Sequence, residues 1–302
     1  MLRGYEKEDP PPRRQKAVTP VLLLDMVNYA KGLPHWAKHT ADLIVGGYFF
    51  AMRVCEFCNT ERPGRTRKLT LGDIVFRDRD SRVVDQTDPK LYEKAMFTTI
   101  CFVDQKNGTK MERRSHRQTG QEILCPVKSW VRVVQRVRSQ FRTEEHDSIP
   151  VCAYKEGNTA KEITSSQVLE LLRSSCKFHD GENRYGIKLS ELGTRSIRSG
   201  AAMALALQGN TSDQKIMMLG RWKSTAFLHY IRPQVLEWSG DAALQMSKTK
   251  SFLDVGKCHR DAKPRANPPP NSQTGEEIPS FNLPLPQQQN GIGLEGRGRT
   301  WP

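Results

Sequence analysis

The sequence predicts an α+β fold that is mainly α, with a small antiparallel β-hairpin or sheet at one edge. Apolar residues recur at helical spacing in several segments, which favours amphipathic or buried helices. Residues 97–103 are instead rich in aromatic and β-branched side chains, and Asn107 and Gly108 follow them. Asn-Gly after such a segment is a strong hairpin signal, so we expect paired strands over residues 97–103 and 110–116.

Helices are predicted where the apolar pattern is bounded by capping residues. Pro20 begins one helix, and Thr164 with Gln167 forms a capping box at the start of another. The segment 40–57 is apolar on nearly every side, which predicts a single buried helix. The predicted helices cover residues 20–30, 40–57, 127–141, 164–176, 194–208 and 235–246, with shorter ones after Thr211 or Ser212 and after Ser224.

The segments between these helices are predicted to be one strand and several loops. Residues 69–76 are typical of a strand, although Asp73 interrupts their apolar pattern. The charged segment 77–90 and the polar segment 179–191 are both expected to be loops.

Composition divides the chain into a flexible basic lead-in over residues 1–17, a folded domain over 18–248 and a tail over 249–302. The tail is rich in Pro, Gln and Gly and too poor in apolar residues to fold. The chain has 47 Lys and Arg against 33 Asp and Glu, a net charge of +14. Residues 251–302 hold six basic and five acidic residues, so the excess lies in the folded part. This favours a polyanion partner such as double-stranded DNA over an inert cationic surface.

The seven cysteines are odd in number and irregularly spaced, which argues against a secreted disulfide framework and indicates an intracellular, reducing compartment. Cys55 and Cys58 have the spacing of half a zinc site. No second Cys/His pair follows at finger spacing, so we expect buried thiols and no metal. The sequence contains neither a signal peptide nor an apolar run of 18 residues, which argues against secretion and against membrane insertion.

Three arginines and a tyrosine near the end of the folded domain are spaced to suit an anionic ligand. Arg195 and Arg198 are three residues apart in one predicted helix, where like charges repel unless an anion lies between them. Arg221 follows in a Leu-Gly-Arg-Trp turn, and Tyr230 lies on the next predicted helix.

This stretch resembles the C-terminal half of the catalytic domain of tyrosine recombinases, the phage integrase family. In that family a His-x-x-Arg box is followed by a Leu-Gly-His or Leu-Gly-Trp turn, and the nucleophilic tyrosine comes nine residues after that His or Trp. Here Arg195 to Arg198, Arg221 and Tyr230 stand at those positions, with arginine at both histidine positions. The wording Ser-Ile-Arg-Ser-Gly-Ala-Ala-Met is most similar to eukaryotic mobile-element recombinases such as those of Cryptons.

The resemblance implies DNA breaking and rejoining, as in site-specific recombination or DNA integration, through a 3′-phosphotyrosyl intermediate. It implies no cofactor and no small-molecule substrate. Tyr230 would be the nucleophile, and Arg53 and Arg198 would stabilise negative charge on the phosphate. Lys106 in the hairpin turn would protonate the leaving oxygen, with Lys110 as the second choice.

Arg53 has two interpretations. It falls inside the predicted buried helix 40–57, where a guanidinium must be paired or hydrogen-bonded, and Glu56 is a structural partner at i+3. By resemblance, the same residues match the first arginine box of the family, in which the acid helps hold the arginine on the phosphate.

Arg195 and Arg221 depart from the family pattern. Arginine stays charged at any working pH, so it cannot accept the tyrosine proton, but it can bind a phosphate oxygen. Because both replacements keep a positive charge, we expect them to be adaptations of a working site rather than the decay of an active ancestor. Type IB topoisomerases carry a lysine at the first of these positions. The alternatives to a recombinase are an inert DNA-binding protein derived from a mobile-element recombinase and a type IB topoisomerase-like activity.

Further basic residues are candidates for DNA contacts. The helix 127–141 presents a basic side that faces either DNA or solvent, and the turn after residue 58 is similarly basic. The candidates are Arg65, Arg67, Lys68, Lys110, Arg132 and Arg136. The resemblance also implies a homo-oligomer on DNA, and a nuclear location if the host is a eukaryote.

Overall fold

A computed structural model describes residues 15–60, 66–105, 108–141, 145–207 and 212–228, all of which lie in one unit, Met1–Met246. Several predictions fall outside these ranges: most of the lead-in, the turn residues Arg65 and Lys106, the nucleophile candidate Tyr230, the helix 235–246 and the tail.

A bend that the sequence did not predict separates the second helix from the third. Helix α1 (Pro20–Ala30) is capped by Thr19, whose Oγ1 accepts a hydrogen bond from the Leu22 N–H at 3.2 Å. Helix α2 (His35–Phe49) is followed by Ala51 at a φ of 45°, and then by the short helix α3 (Val54–Phe57). The prediction of one helix over residues 40–57 is therefore wrong.

Long-range packing explains the break after α2. A Cβ atom on Gly47 would lie 2.8 Å from the Phe57 ring, so the bend seats Phe57 directly on the bare backbone of α2. Met52 N–H donates to the Gly47 carbonyl at 2.8 Å and closes the turn. The gain from burying Phe57 outweighs the continued helical hydrogen bonding that the local sequence favours.

A four-stranded antiparallel sheet follows. Its strands are β1 (Ile74–Arg77), β2 (Val83–Val84), β3 (Phe97–Asp104) and β4 (Lys110–Arg117), in the order β2-β1-β3-β4, with helix α4 (Leu91–Lys94) before β3. The predicted hairpin is confirmed, with Ile100 opposite Arg114. The predicted strand over residues 69–76 is only partly right, because a 3₁₀ turn at Leu71–Asp73 precedes β1. Strand β2 lies within the segment predicted as a loop.

The rest of the described chain is mainly helical. It contains α5 (Pro126–Gln140), the hairpin β5 (Ala153–Glu156) and β6 (Thr159–Glu162), α6 (Ser165–Phe178), α7 (Gly181–Tyr185), α8 (Arg195–Leu207) and α9 (Asp213–Gly220). The capping box of α6 and the Ser212 cap of α9 are confirmed. The β5–β6 hairpin was not predicted, and α7 lies in the predicted loop 179–191. The helix predicted after Ser224 begins, within the described residues, as a 3₁₀ turn at Thr225–Phe227.

Helix α2 is the centre of the core. Its residues Leu43, Ile44 and Val45 are all fully buried, and Trp130 of α5 packs against the bare Gly46 backbone. A second cluster joins α8 and α9 to the last described turn through Met203, Ile216 and Phe227. The predicted mainly α-helical α+β fold with a small antiparallel sheet is confirmed. Among the described residues, the helices are too short or too polar to cross a bilayer.

Candidate functional site

The bend after α2 places Arg53 at the start of α3 rather than inside a buried helix. Its main-chain N–H donates to Glu56 Oε2 at 2.8 Å, and its Nη1 donates to Glu56 Oε1 at 3.1 Å. The Arg53 side chain is 26% exposed, whereas that of Glu56 is 1% exposed. Glu56 therefore holds a guanidinium that still reaches the surface.

Arg198 comes from the first turn of α8 and is buried. Its Nη2 donates to the Gly220 carbonyl at 2.6 Å, and its Nη1 donates to the Ala51 carbonyl at the bend. The guanidinium lies 4.4 Å from the centre of the Trp222 ring, a favourable cation–π arrangement. Arg198 thus links α8, the end of α9 and the bend.

Arg221 caps α9 in the left-handed conformation, with a φ of 56°. This conformation is uncommon for a residue with a side chain, and here it accompanies a guanidinium that is completely buried. Its Nη2 donates to Glu56 Oε2 at 2.9 Å, and the guanidinium lies 3.5 Å from the centre of the Phe102 ring. Burial lowers the pKa of Arg221, while Glu56 opposes that shift.

Three distant segments therefore meet here: Arg53 and Arg221 bind Glu56, and Arg198 joins Arg221 at the Ala51 carbonyl. We refer to these four residues as the arginine cluster. Glu56 contacts two of the three guanidiniums. Three cations and one carboxylate give this cluster a net positive charge. A cavity of about 350 Å³ borders it, and its charged lining residues are Arg221, Arg114, Lys223 and Glu112. Such an arrangement suits a phosphate group.

Arg195 lies apart from this cluster. It is exposed at the beginning of α8, three residues before the buried Arg198. Its main-chain N–H donates to Gln15 Oε1 at 3.1 Å. The two arginines of the predicted box therefore have different surroundings, although they share one helix.

The other candidates for DNA contacts within the described residues have mixed environments. Lys110 is exposed at the start of β4. Arg67, whose side chain is 46% exposed, lies 3.4 Å from Asp73, and Lys68 pairs with Glu162.

The expectation that Arg132 and Arg136 face outward from α5 is wrong. Arg132 Nε donates to Asp42 Oδ1 at 2.7 Å, and Arg136 Nη2 donates to Asp42 Oδ2 at 2.8 Å. The Asp42 side chain is 6% exposed, and a buried carboxylate needs such partners. The two arginines compensate this charge between α2 and α5 instead of forming a basic surface.

Cys55 is half-buried and Cys58 is buried. Burial raises the pKa of both thiols, which disfavours the thiolate form that metals and electrophiles require. Within the described ranges, His, Cys, Asp and Glu side chains form no group of three or more that could hold a metal ion.

Sequence reasoning missed three residues that shape the cluster. Phe102 and Trp222 provide the aromatic faces beneath Arg221 and Arg198. Gln105 is 2% exposed and lies 3.4 Å from Arg221. Successive side chains of β3 alternate between the two faces of the sheet, and this pattern predicts that Phe102 points inward. No local signal marks Gln105, because it lies in a segment typical of an exposed turn.

No family model and no curated protein matches this chain. Among solved structures, it is similar to the Tn1549 transposon integrase in complex with transposon right end DNA, with a TM-score of 0.44 and 12% identity over 84% of this chain and 67% of that chain. The complex of that integrase with circular intermediate DNA gives a TM-score of 0.43 and 13% identity, over 84% of this chain and 66% of the other. At this level of similarity, function is inferred from the chain's own residues.

Proposed function

We propose that this protein binds double-stranded DNA and breaks and rejoins one strand as a tyrosine recombinase does. The observation that carries the proposal is that Arg53 and Arg221 both bind Glu56, while Arg198 meets Arg221 at the Ala51 carbonyl beside them. A phosphodiester gains negative charge in its pentacoordinate transition state, and prearranged guanidiniums stabilise that charge. The net charge of +14 supports a DNA partner.

In this mechanism, the Tyr230 hydroxyl gives its proton to solvent water, and its oxygen attacks phosphorus in line with the departing 5′-oxygen. A bond forms between the tyrosine oxygen and phosphorus, and the bond from phosphorus to the 5′-oxygen breaks. The leaving oxygen keeps the electron pair and takes a proton from Lys106. Both of these roles come from the sequence resemblance, and both residues lie outside the described ranges.

The three arginines act on the phosphate in different ways, according to how exposed each side chain is. Arg53 reaches the surface and makes the direct contact with a non-bridging oxygen. Arg198 and Arg221 are buried and raise the positive potential behind it. Because a guanidinium does not take up a proton near neutral pH, the contribution of Arg221 is electrostatic rather than that of a general base.

A suicide duplex, nicked so that the leaving strand diffuses away, tests the proposal. The wild-type chain should form a covalent adduct at the 3′ end, and Tyr230→Phe should abolish the adduct while leaving DNA affinity nearly unchanged. Tyr29→Phe is a matched control on α1 and should retain the adduct. An adduct that persists in Tyr230→Phe would contradict the assignment.

A second candidate function is DNA binding without strand cleavage. The observation that favours it is that Arg198 and Arg221 direct guanidinium hydrogen bonds to protein carbonyls and to Glu56. In that case the wild-type chain would bind the duplex with normal salt dependence and give no adduct at any pH between about 6 and 9, a range that spans imidazole titration and the onset of tyrosine ionisation.

A further inference from the structure

Gln105 lies where β3 ends and the turn to β4 begins. Its side-chain amide is buried and makes contacts in two directions. The Nε2 group donates to Glu112 Oε2 at 2.6 Å, and Oε1 accepts from Arg221 Nη1 at 3.4 Å. One neutral side chain therefore connects a carboxylate of the hairpin with a guanidinium of the arginine cluster.

The contacts continue on both sides of this amide. On one side, Arg221 binds Glu56, which in turn holds Arg53. On the other side, Glu112 pairs with Arg114, whose Nε donates to the Met218 carbonyl at 2.7 Å. Because Met218 lies in α9 and Arg221 caps the same helix, the network closes into a ring around the end of α9.

The identity of residue 105 matters for this ring. An amide presents a donor to Glu112 and an acceptor to Arg221 at the same time. A glutamate there would place a second carboxylate beside Glu112, and a leucine would leave a buried donor and a buried acceptor without this partner. Of the two amide side chains, asparagine is shorter by one methylene group, so only glutamine places its donor and its acceptor at these distances.

We infer that Gln105 is a positioning residue that fixes the end of β3 and strand β4 relative to the arginine cluster. The inference deepens the proposed function and rests on it for its catalytic consequence. Lys106, the proposed proton donor, is the next residue in the chain. Because consecutive Cα atoms are about 3.8 Å apart, anchoring Gln105 limits how far the proposed proton donor can lie from the phosphate-binding arginines. Such a limit speeds the chemical step, since reacting groups then need less reorientation.

The structural coupling is tested without any assay of activity. Gly108 N–H donates to the Gln105 carbonyl at 2.8 Å, so its hydrogen exchange reports on the turn. Gln105→Leu should speed this exchange about tenfold or more, the size expected for losing a hydrogen bond to a charged partner. Arg221→Lys keeps a cation beside Glu56 but lacks the fork that reaches two partners. It should speed exchange at Gly108 in the wild-type background and add nothing in the Gln105→Leu background.

Gln86→Leu is the matched control. The Gln86 amide donates to the carbonyls of Leu71 at 2.9 Å and Ile74 at 2.8 Å, near the start of β1. Its loss should lower overall stability by a similar amount without speeding exchange at Gly108. Two outcomes would overturn the inference. In the first, the effects of Gln105→Leu and Arg221→Lys on exchange at Gly108 simply add in the double variant. In the second, Gln86→Leu speeds exchange at Gly108 as much as Gln105→Leu does.

The catalytic consequence is tested with two suicide duplexes that differ in one bridging atom. With sulfur in place of the 5′-bridging oxygen, the leaving group is a thiolate that needs no proton donor, because a thiol pKa is near 8.5. Gln105→Leu should slow cleavage of the oxygen duplex at least about tenfold and leave cleavage of the sulfur duplex unaffected. General acid catalysis contributes about 10² to 10⁴ in rate, and the substitution should remove only part of that contribution. Equal slowing on both duplexes would refute a positioning role. If the wild type cleaves neither duplex, the proposed function fails. The hydrogen-exchange measurements on the single and double variants still decide whether Gln105 couples the hairpin to Arg221.

Discussion

Arg198 and Arg221 each donate a hydrogen bond to the same main-chain oxygen, the carbonyl of Ala51. That carbonyl is turned toward them because the chain leaves α2 through a residue at a φ of 45°. Two buried cations share one acceptor, and Glu56 is the carboxylate beside Arg221. The bend, the two helices that carry these arginines and the acid therefore form one electrostatic unit, and the predictions below test its parts.

Arg195 and Arg221 should differ sharply in their effect on stability. Arg221→His removes the fork that binds buried Glu56 and leaves that carboxylate with Arg53 alone, which should lower the free energy of unfolding by about 1–3 kcal/mol. Arg195→His changes an exposed residue and should cost less than about 0.5 kcal/mol. Urea denaturation of both variants measures the difference. Similar small losses would show that Arg221 does not compensate Glu56.

Substitutions of Arg136 and Lys110 should distinguish a cation that stabilises the fold from a cation that binds DNA. Arg136→Gln leaves Asp42 with Arg132 alone, so unfolding should become easier by about 1–3 kcal/mol while the salt dependence of DNA binding is unchanged. Lys110→Gln should leave stability unchanged and reduce the log–log salt slope by about 0.9, the value for one phosphate contact. Titration of one duplex at several salt concentrations measures the slope. A lower salt slope for Arg136→Gln would show that this arginine of α5 contacts DNA.

The wild-type protein itself should bind duplex DNA with a steep salt dependence. Several phosphate contacts predict a log–log slope of several units at about 0.9 for each contact. The full chain is titrated with a duplex between low and physiological salt. Affinity that stays flat over this range would remove DNA as the partner of the positive site.

Gly200 should be intolerant of even a methyl group. A Cβ atom there would lie 2.3 Å from the Val18 carbonyl oxygen, and backbone cannot move aside as a side chain can. Gly200→Ala should therefore lower the free energy of unfolding by about 1–3 kcal/mol through overpacking between α8 and the chain before α1. Gly32→Ala is the control, because its nearest neighbour would be 3.9 Å away. Thermal unfolding compares the two variants, and equal melting temperatures would contradict the close approach.

Stability should fall in mild acid because of His39. Burial lowers the pKa of His39 to about 3 from 6.5, while its Nε2 donates to the Val151 carbonyl at 2.8 Å. Between these pH values the unfolded chain binds a proton that the folded chain does not, so stability is present above pH 6.5 and is lost as the pH falls toward 3. The loss approaches about 1.4 kcal/mol per pH unit. His39→Gln does not titrate, so urea denaturation across this range should show a shallower dependence on pH.

Local sequence determined most helix positions and the hairpin. The Thr164 capping box, the Ser212 cap and the apolar face of α5 depend on residues a few positions apart, so the sequence is sufficient to predict them. The strands β3 and β4 follow from their composition and from Asn-Gly. The arginines of the cluster were named as candidates from the sequence, because their types and spacings resemble a known family.

Only the tertiary structure decided how these residues are used. The bend at Ala51 depends on Phe57 packing against Gly47, and the orientation of Arg136 depends on Asp42, 94 residues away in sequence. Gln105 becomes part of the site only because Arg221 lies beside it. Periodicity shows which face of a helix is polar, but a buried charge on another element decides whether that face meets solvent or a partner, since the free energy of leaving that charge unpaired exceeds any local preference.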